Sequence, residues 1–171
     1  MNIHFQDSIP SNFSDQSRVW IYQASRLFTI SEALDIEEIL ENFSKEWNSH
    51  GADVTAFANL FFGQFIIMIA DESKVQVSGC STDSSIRIIK NIEKDFNVQL
   101  LDRQLLAFIV KERIQVLPMA QLNYSFENNF ITPDTLYFNN TVLTKKDLLT
   151  KWIIPVKDSW LAARIPADKM V

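Results

Sequence analysis

Phe65-Ile66-Ile67-Met68-Ile69 is the stretch on which the fold turns, because five successive apolar residues leave it no side for water. Alternate side chains of a strand point to opposite faces, so an unbroken apolar run predicts a central strand covered on both. It sits inside a broader strand-forming region, Phe57 to Ala70. The most apolar part, Leu60 to Ala70, is interrupted by Gly63 and Gln64 and is about half the roughly 20 residues that span a bilayer. A buried strand is the expectation, and no membrane segment.

Working outward, Val19, Ile21 and Gln23 alternate with Arg18, Trp20 and Tyr22, which predicts a first strand with its aromatics on one face. Thr29-Ile30-Ser31-Glu32 fits a capping box, and Ala33, Ile36, Leu40, Phe43 and Trp47 continue at helical spacing. Asn48-Ser49-His50-Gly51 is expected to stop that helix, with Gly51 in a left-handed conformation and His50 near the negative end of the helix dipole. Downstream, Asp71 to Lys74 turns the chain into a short strand, Val75 to Ser78. A second helix carries Ile86, Ile89, Ile92 and Phe96 on its buried stripe and ends at Asn97. Strands are expected at Val98 to Leu101 and Ile114 to Leu117, while Leu105 to Val110 fits helix or strand equally. Beyond them come a short helix after Pro118, an extended piece at Leu136 to Phe138, and an N-cap at Thr144 leading to Leu148, Leu149 and Trp152. Pro155 and Pro166 predict an irregular tail, packed down by Trp160.

Residues 18–101 thus read β-α-β-β-α-β, the order of a ferredoxin-like split βαβ core. The expected class is α+β: a single domain over 1–171, with 1–17 an extended polar leader and 102–171 a C-terminal α/β elaboration.

Composition narrows the function classes. The chain has 171 residues, 47% apolar and 22% charged, and 13 phenylalanines, enough for a large core without staples. Its lone cysteine, Cys80, excludes an internal disulfide and any zinc site built from several cysteines. With two histidines besides, no metal or other cofactor is expected. The start, Met1-Asn2-Ile3-His4-Phe5, has no secretory pattern, so the expectation is cytoplasmic. A net charge of -5 with scattered basic residues gives no electrostatic reason for nucleic-acid binding.

One stretch concentrates chemistry. Gly79-Cys80-Ser81-Thr82-Asp83-Ser84-Ser85 falls where a strand is expected to enter a helix. Free amides and the positive helix end there suit a small anion, with the hydroxyls of Ser81, Thr82, Ser84 and Ser85 as donors and Arg87 within reach. Trp20 and Tyr22 could supply an aromatic wall. A catalytic version makes Cys80 the nucleophile, His50 its base and Asp83 the orienting carboxylate. The structural alternative accounts for the same residues: Gly79 for backbone shape, an inert Cys80, Ser81 or Thr82 as cap, Asp83 as a first-turn acid, His50 as a surface residue at a helix end, and Trp20 and Tyr22 packed on Trp47.

Val19-Trp20-Ile21-Tyr22-Gln23, Trp47-Asn48-Ser49-His50-Gly51, the 79–85 stretch, Asp102-Arg103 and Phe138-Asn139-Asn140-Thr141-Val142 together resemble a family of small uncharacterised Bacteroidetes proteins often labelled "ABC transporter ATPase". The resemblance runs over nearly the whole chain and implies no cofactor or catalytic residue. The label itself conflicts with the residues. A P-loop needs G-x-x-x-x-G-K-[ST] to wrap phosphate in backbone amides, and none of Gly51, Gly63 and Gly79 begins that pattern. The expected function is a non-enzymatic ligand-binding or regulatory domain, dimeric through a sheet edge or aromatic face. The alternatives are a thiol- or hydroxyl-dependent transferase or hydrolase centred on Cys80 and Ser81, and a structural or protein-interaction subunit.

Overall fold

Alternation, capping and apolar stripes are realised in a computed structural model that describes residues 1–49, 52–73, 77 and 79–169. The side chains of 48, 49, 52, 53, 80 and 81 also lie outside the described set. In chain order the elements are β1 (Arg18–Gln23), α1 (Ile30–Glu46), β2 (Asn48–Ser49), β3 (Ala52–Asp53), β4 (Thr55–Phe61), β5 (Phe65–Asp71), α2 (Gly79–Phe96), β6 (Leu105–Val110), β7 (Arg113–Pro118), α3 (Leu122–Glu127), β8 (Leu136–Phe138), α4 (Lys145–Lys151) and β9 (Ile153–Pro155). The class is mixed α and β, with antiparallel sheets β1-β5-β4 and β7-β6-β8-β9 and a small β2-β3 ribbon.

The central strand is covered as its sequence requires. Every residue of β5 is buried, and its side chains divide by parity between two cores. Ile66 and Met68 join Ile36 and Leu40 of α1 and Ile89 and Ile92 of α2, so both helices lie on one face. Phe65, Ile67 and Ile69 meet Ala107 of β6, Phe138 of β8, and Leu148 and Trp152. The second sheet therefore stacks on the first, and Leu106, Phe108 and Tyr137 on its far face pack against Leu122 and Phe126 of α3 and Val156, Leu161 and Ile165 of the tail. The result is four layers: helices, sheet, sheet, then α3 with the tail.

Several local expectations hold. Thr29 and Glu32 form a reciprocal capping box, Thr144 accepts from the Asp147 amide at 3.2 Å, and Asn97 ends α2 with a positive φ of 49°. Leu105–Val110 resolves as strand because Lys111 and Glu112, at φ 49° and 60°, make the left-handed two-residue turn that folds β7 back onto β6.

Others are corrected. Residues 98–101 are not a strand. Val98 and Leu100 are buried, but the amides of Leu100 and Leu101 donate to the Glu93 carboxylate at 2.6 and 3.1 Å, which diverts them from any ladder. The outer edge of β1 is instead lined by 140–145. The Val19 amide donates to the Leu143 carbonyl at 3.0 Å, the Lys145 amide to Ser17 at 2.9 Å, and the Asn140 side-chain amide to Gln23 at 2.9 Å. Helix α1 ends at Glu46, with Trp47 extended, so it stops ahead of Asn48 and not at Gly51, which lies outside the described residues with His50 and 75, 76 and 78 of the expected short strand. The polar leader is no solvated arm: Phe5, Ile9 and Phe13 are buried in the inter-sheet core. The tail is anchored by Val156 and Leu161, both fully buried, whereas Trp160 is 40% exposed.

Candidate functional site

The serine-rich stretch lies inside a helix and not in a loop ahead of one. α2 begins at Gly79, so residues 80–85 form its first turns and their amides from the second turn onward are committed to the helix. A Cβ at Gly79 would meet nothing within 4 Å, so close packing does not demand glycine there. Ser85 is fully buried and donates to the Thr82 carbonyl at 2.7 Å, with the Tyr22 phenol close enough to feel its hydroxyl. Burial pushes the Tyr22 phenol above its ordinary value, against the opposing pull of Ser85 and Arg103. The structure thus brings Tyr22, Thr82 and Ser85 together, as a closed contact between β1 and α2.

The other expected site residues do not complete a constellation. Thr82 and Ser84 are half-buried and both engaged in interactions. Asp83 and Arg87 are exposed. Trp20 lies against Trp47 with ring centroids 5.8 Å apart and beneath the Arg18 guanidinium at 4.8 Å, so it is packed on the helix layer. His50 and the side chains of Cys80 and Ser81 fall outside the described residues, and the distance that the catalytic version needs falls there with them.

A concave site lies elsewhere, on the outermost layer. A cleft of about 490 Å³ is lined by Phe126, Asn129, Ile131, Thr132, Pro133, Asp134, Lys157 and Lys169. Its volume is within the range of small-molecule sites, about 300–1,000 Å³. The wall is built by local chemistry. α3 ends as Asn129 takes a left-handed φ of 52°, and the amides of Phe130 and Ile131 both return to the Ser125 carbonyl at 2.9 and 3.2 Å. Next, Thr132-Pro133-Asp134-Thr135 closes a turn in which the Thr132 amide donates to the Thr135 hydroxyl at 2.8 Å and the Thr135 amide to the Thr132 carbonyl at 3.0 Å. The tail is laced to this turn through Lys157 N–H to Pro133 at 3.0 Å and Val156 N–H to Thr135 at 2.9 Å.

That lacing places the Lys157 ammonium at the cleft, and the last turn of the tail brings Lys169 to it as well. Lys157 Nζ reaches Asp134 at 2.6 Å, and the carboxylate holds the lysine above its usual pKa. Lys169 Nζ donates to the Asn129 side-chain oxygen at 2.9 Å. Phe126 and Ile131, each 1% exposed, supply an apolar base. This chemistry suits holding an acidic molecule in place, since the lining offers cations and amide groups but no histidine, cysteine or serine.

Sequence reasoning missed the cleft. Thr132-Pro133-Asp134 was legible only as punctuation, and the two lysines as scattered charges in an irregular tail. The available signal was the proline-bounded tail itself, with Lys157 and Lys169 each a short way past Pro155 and Pro166.

A smaller groove of about 330 Å³ runs between 2–6 and Leu149, Thr150 and Ile153, where exposed His4 pairs with Asp7 at 3.0 Å. No group of three or more histidine, cysteine or acidic residues gathers as a metal site among the described residues, and no helix among them is long and apolar enough to cross a membrane. Compared with family models, curated proteins and solved structures, the chain matches none.

Proposed function

We propose that the protein is a non-enzymatic binding domain whose cleft between α3, the 131–134 turn and the C-terminal tail takes a small acidic ligand. The observation that carries this reading is the convergence of Lys157 and Lys169 on one concavity of about 490 Å³ with a buried apolar base. The anion site therefore moves from the start of α2 to the far layer of the fold. No geometry favours the transferase or hydrolase alternative on Cys80 and Ser81, whose side chains lie outside the described residues.

Thermal unfolding in a panel of small carboxylates and phosphates tests the proposal. A ligand at 100 times its Kd stabilises by about 2.7 kcal/mol, which for a chain of this size is a rise in Tm of roughly 5–10 °C. The shift should vanish in the double variant Lys157→Met, Lys169→Met. A panel without any shift, or a shift that survives the double variant, sinks the cleft as the binding site.

We further read β1, α1, β4, β5 and α2 as a ferredoxin-like unit in which 140–145 stands in for the fourth strand. The order β1-β5-β4, with both helices on one face, supports that reading. The open sheet face that such a unit commonly offers for self-association is here occupied by the second sheet, so a dimer through that face is not part of the proposal. A cytoplasmic setting fits the single cysteine.

A further inference from the structure

We propose that the open edge of β7 pairs with β7 of a second copy of this chain, antiparallel, about a two-fold axis at Gln115. No β7 residue lines the cleft. The strand bonds to β6 on one side and to no strand on the other. Just past the paired run the Met119 amide donates to the Gln104 carbonyl at 2.8 Å, and bonded pairs alternate along an antiparallel ladder. The register sets Leu106 against Leu117, Phe108 against Gln115 and Val110 against Arg113, so Arg113, Gln115 and Leu117 spend their amides and carbonyls on β6. Ile114 and Val116 turn theirs outward, where no hydrogen bond among the described residues meets them.

Unpaired edges are ordinarily blunted, because they template pairing with another chain. Here β1 is lined by 140–145, β9 has three residues and ends in Pro155, and β4 spends its Leu60 amide on the Asn59 side chain at 2.8 Å. β7 has no such device: its register runs unbroken, and no charge or proline stands between Arg113 and Pro118. A second copy fits that edge residue by residue. With the axis at Gln115, Ile114 of each copy lies opposite Val116 of the other, and every outward amide finds an outward carbonyl. Ile114 and Val116 already pack against the inter-sheet core, so the pairing carries that core across the axis. On the other face Gln115 meets its own counterpart and Arg113 falls opposite Leu117, with no like charges opposed. Moved towards Pro118, the axis sets an outward carbonyl against a residue with no amide to give; moved towards Arg113, it draws the pairing into the left-handed turn at Lys111 and Glu112.

Sedimentation equilibrium of the full chain over a dilution series tests the pairing. The wild type should form a reversible dimer; a chain that stays monomeric overturns the proposal, even where an extended peptide of another protein adds to the same edge. Gln115→Lys and Gln115→Glu each oppose like charges across the axis and should weaken the dimer by roughly fivefold, whereas an equimolar mixture of the two should associate at least as tightly as the wild type. A dimer indifferent to both charges places the interface elsewhere, and weakening without recovery in the mixture overturns the axis at Gln115. Amide exchange in the unaltered protein gives a reading that no folding defect can imitate. The Ile114 and Val116 amides should be protected in concentrated solution and exchange faster on dilution, while Gln115, bonded to β6, keeps its protection. Exchange at Ile114 and Val116 that ignores concentration overturns the pairing.

Discussion

Lys145 carries an ammonium group into the interior, where among the described residues two carbonyl oxygens receive it. The residue is 4% exposed, and its Nζ donates to the Phe13 carbonyl at 2.6 Å and the Ser11 carbonyl at 3.2 Å. Its backbone amide also closes on Ser17. It is the first residue of α4, where the positive helix end disfavours a cation, so the two carbonyls must offset both that field and desolvation. Lys145→Met keeps the length and apolar stem but leaves the buried Phe13 carbonyl unpaired, at about 1–3 kcal/mol, while exposed Ser11 can turn to water. Urea unfolding should show a loss of roughly 1–3 kcal/mol, the cost of one such acceptor; a variant as stable as the wild type would mean that solvent already serves the Phe13 carbonyl. Nothing in the sequence around Thr144 announces this role. The capping pattern was legible, but a lysine there reads as an ordinary surface residue until the partner segment, more than a hundred positions away, is known.

At the scale of elements, the sequence was most legible where one segment holds its own instructions. The Thr29–Glu32 box, the alternation of β1 and the stripe of α2 are local, and each appears where its pattern placed it. The failures share one cause: the deciding partner came from outside the segment. Phe5, Ile9 and Phe13 recur every fourth residue, yet polar residues surround them, and only the inter-sheet core gives the three side chains a destination. Residues 98–101 have a strand's composition, but Glu93 takes the amides of Leu100 and Leu101. That carboxylate fixes the exit from α2 and brings Gln99 beside Ser25, whose amide donates to the Gln99 carbonyl at 2.9 Å. Glu93→Ala would strip two amides of their acceptor, one of them part-buried, for a loss of about 1–3 kcal/mol. Amide hydrogen exchange should then quicken at Leu100 and Leu101 before it does in β5. Unchanged protection at these two positions would show that the carboxylate is not what holds the segment.

For the whole molecule, β5 announced two covered faces, and the chain had to provide the second cover from residues that carry no mark of it. Phe65 stacks on Phe138 with centroids 4.4 Å apart, and Trp152 packs edge-on to Phe5 at 4.8 Å and to Phe65 at 5.4 Å. One aromatic cluster thus joins the N-terminal segment, the first sheet, the second sheet and α4. The cleft was illegible for the same reason, since 126–134 and the tail are held together across the far face of the second sheet. Residues 18–101, the stretch that the sequence alone reads as a complete ferredoxin-like core, should therefore not fold alone. In such a fragment Val19, Phe65, Ile67 and Ile69 would lose Ala107, Phe138, Leu148 and Trp152, and four large apolar side chains, each worth about 1.5–3 kcal/mol buried, would face water. That deficit of roughly 6–12 kcal/mol is as large as the whole stability of an ordinary domain, about 5–15 kcal/mol. The fragment should give a collapsed amide proton spectrum and bind a hydrophobic dye, while the full chain unfolds in one transition seen alike by tryptophan fluorescence and far-ultraviolet circular dichroism. A fragment with dispersed resonances, or two separated transitions in the full chain, would mean that the first sheet is stable without its second cover and that the shared aromatic cluster joins two folding units instead of making one.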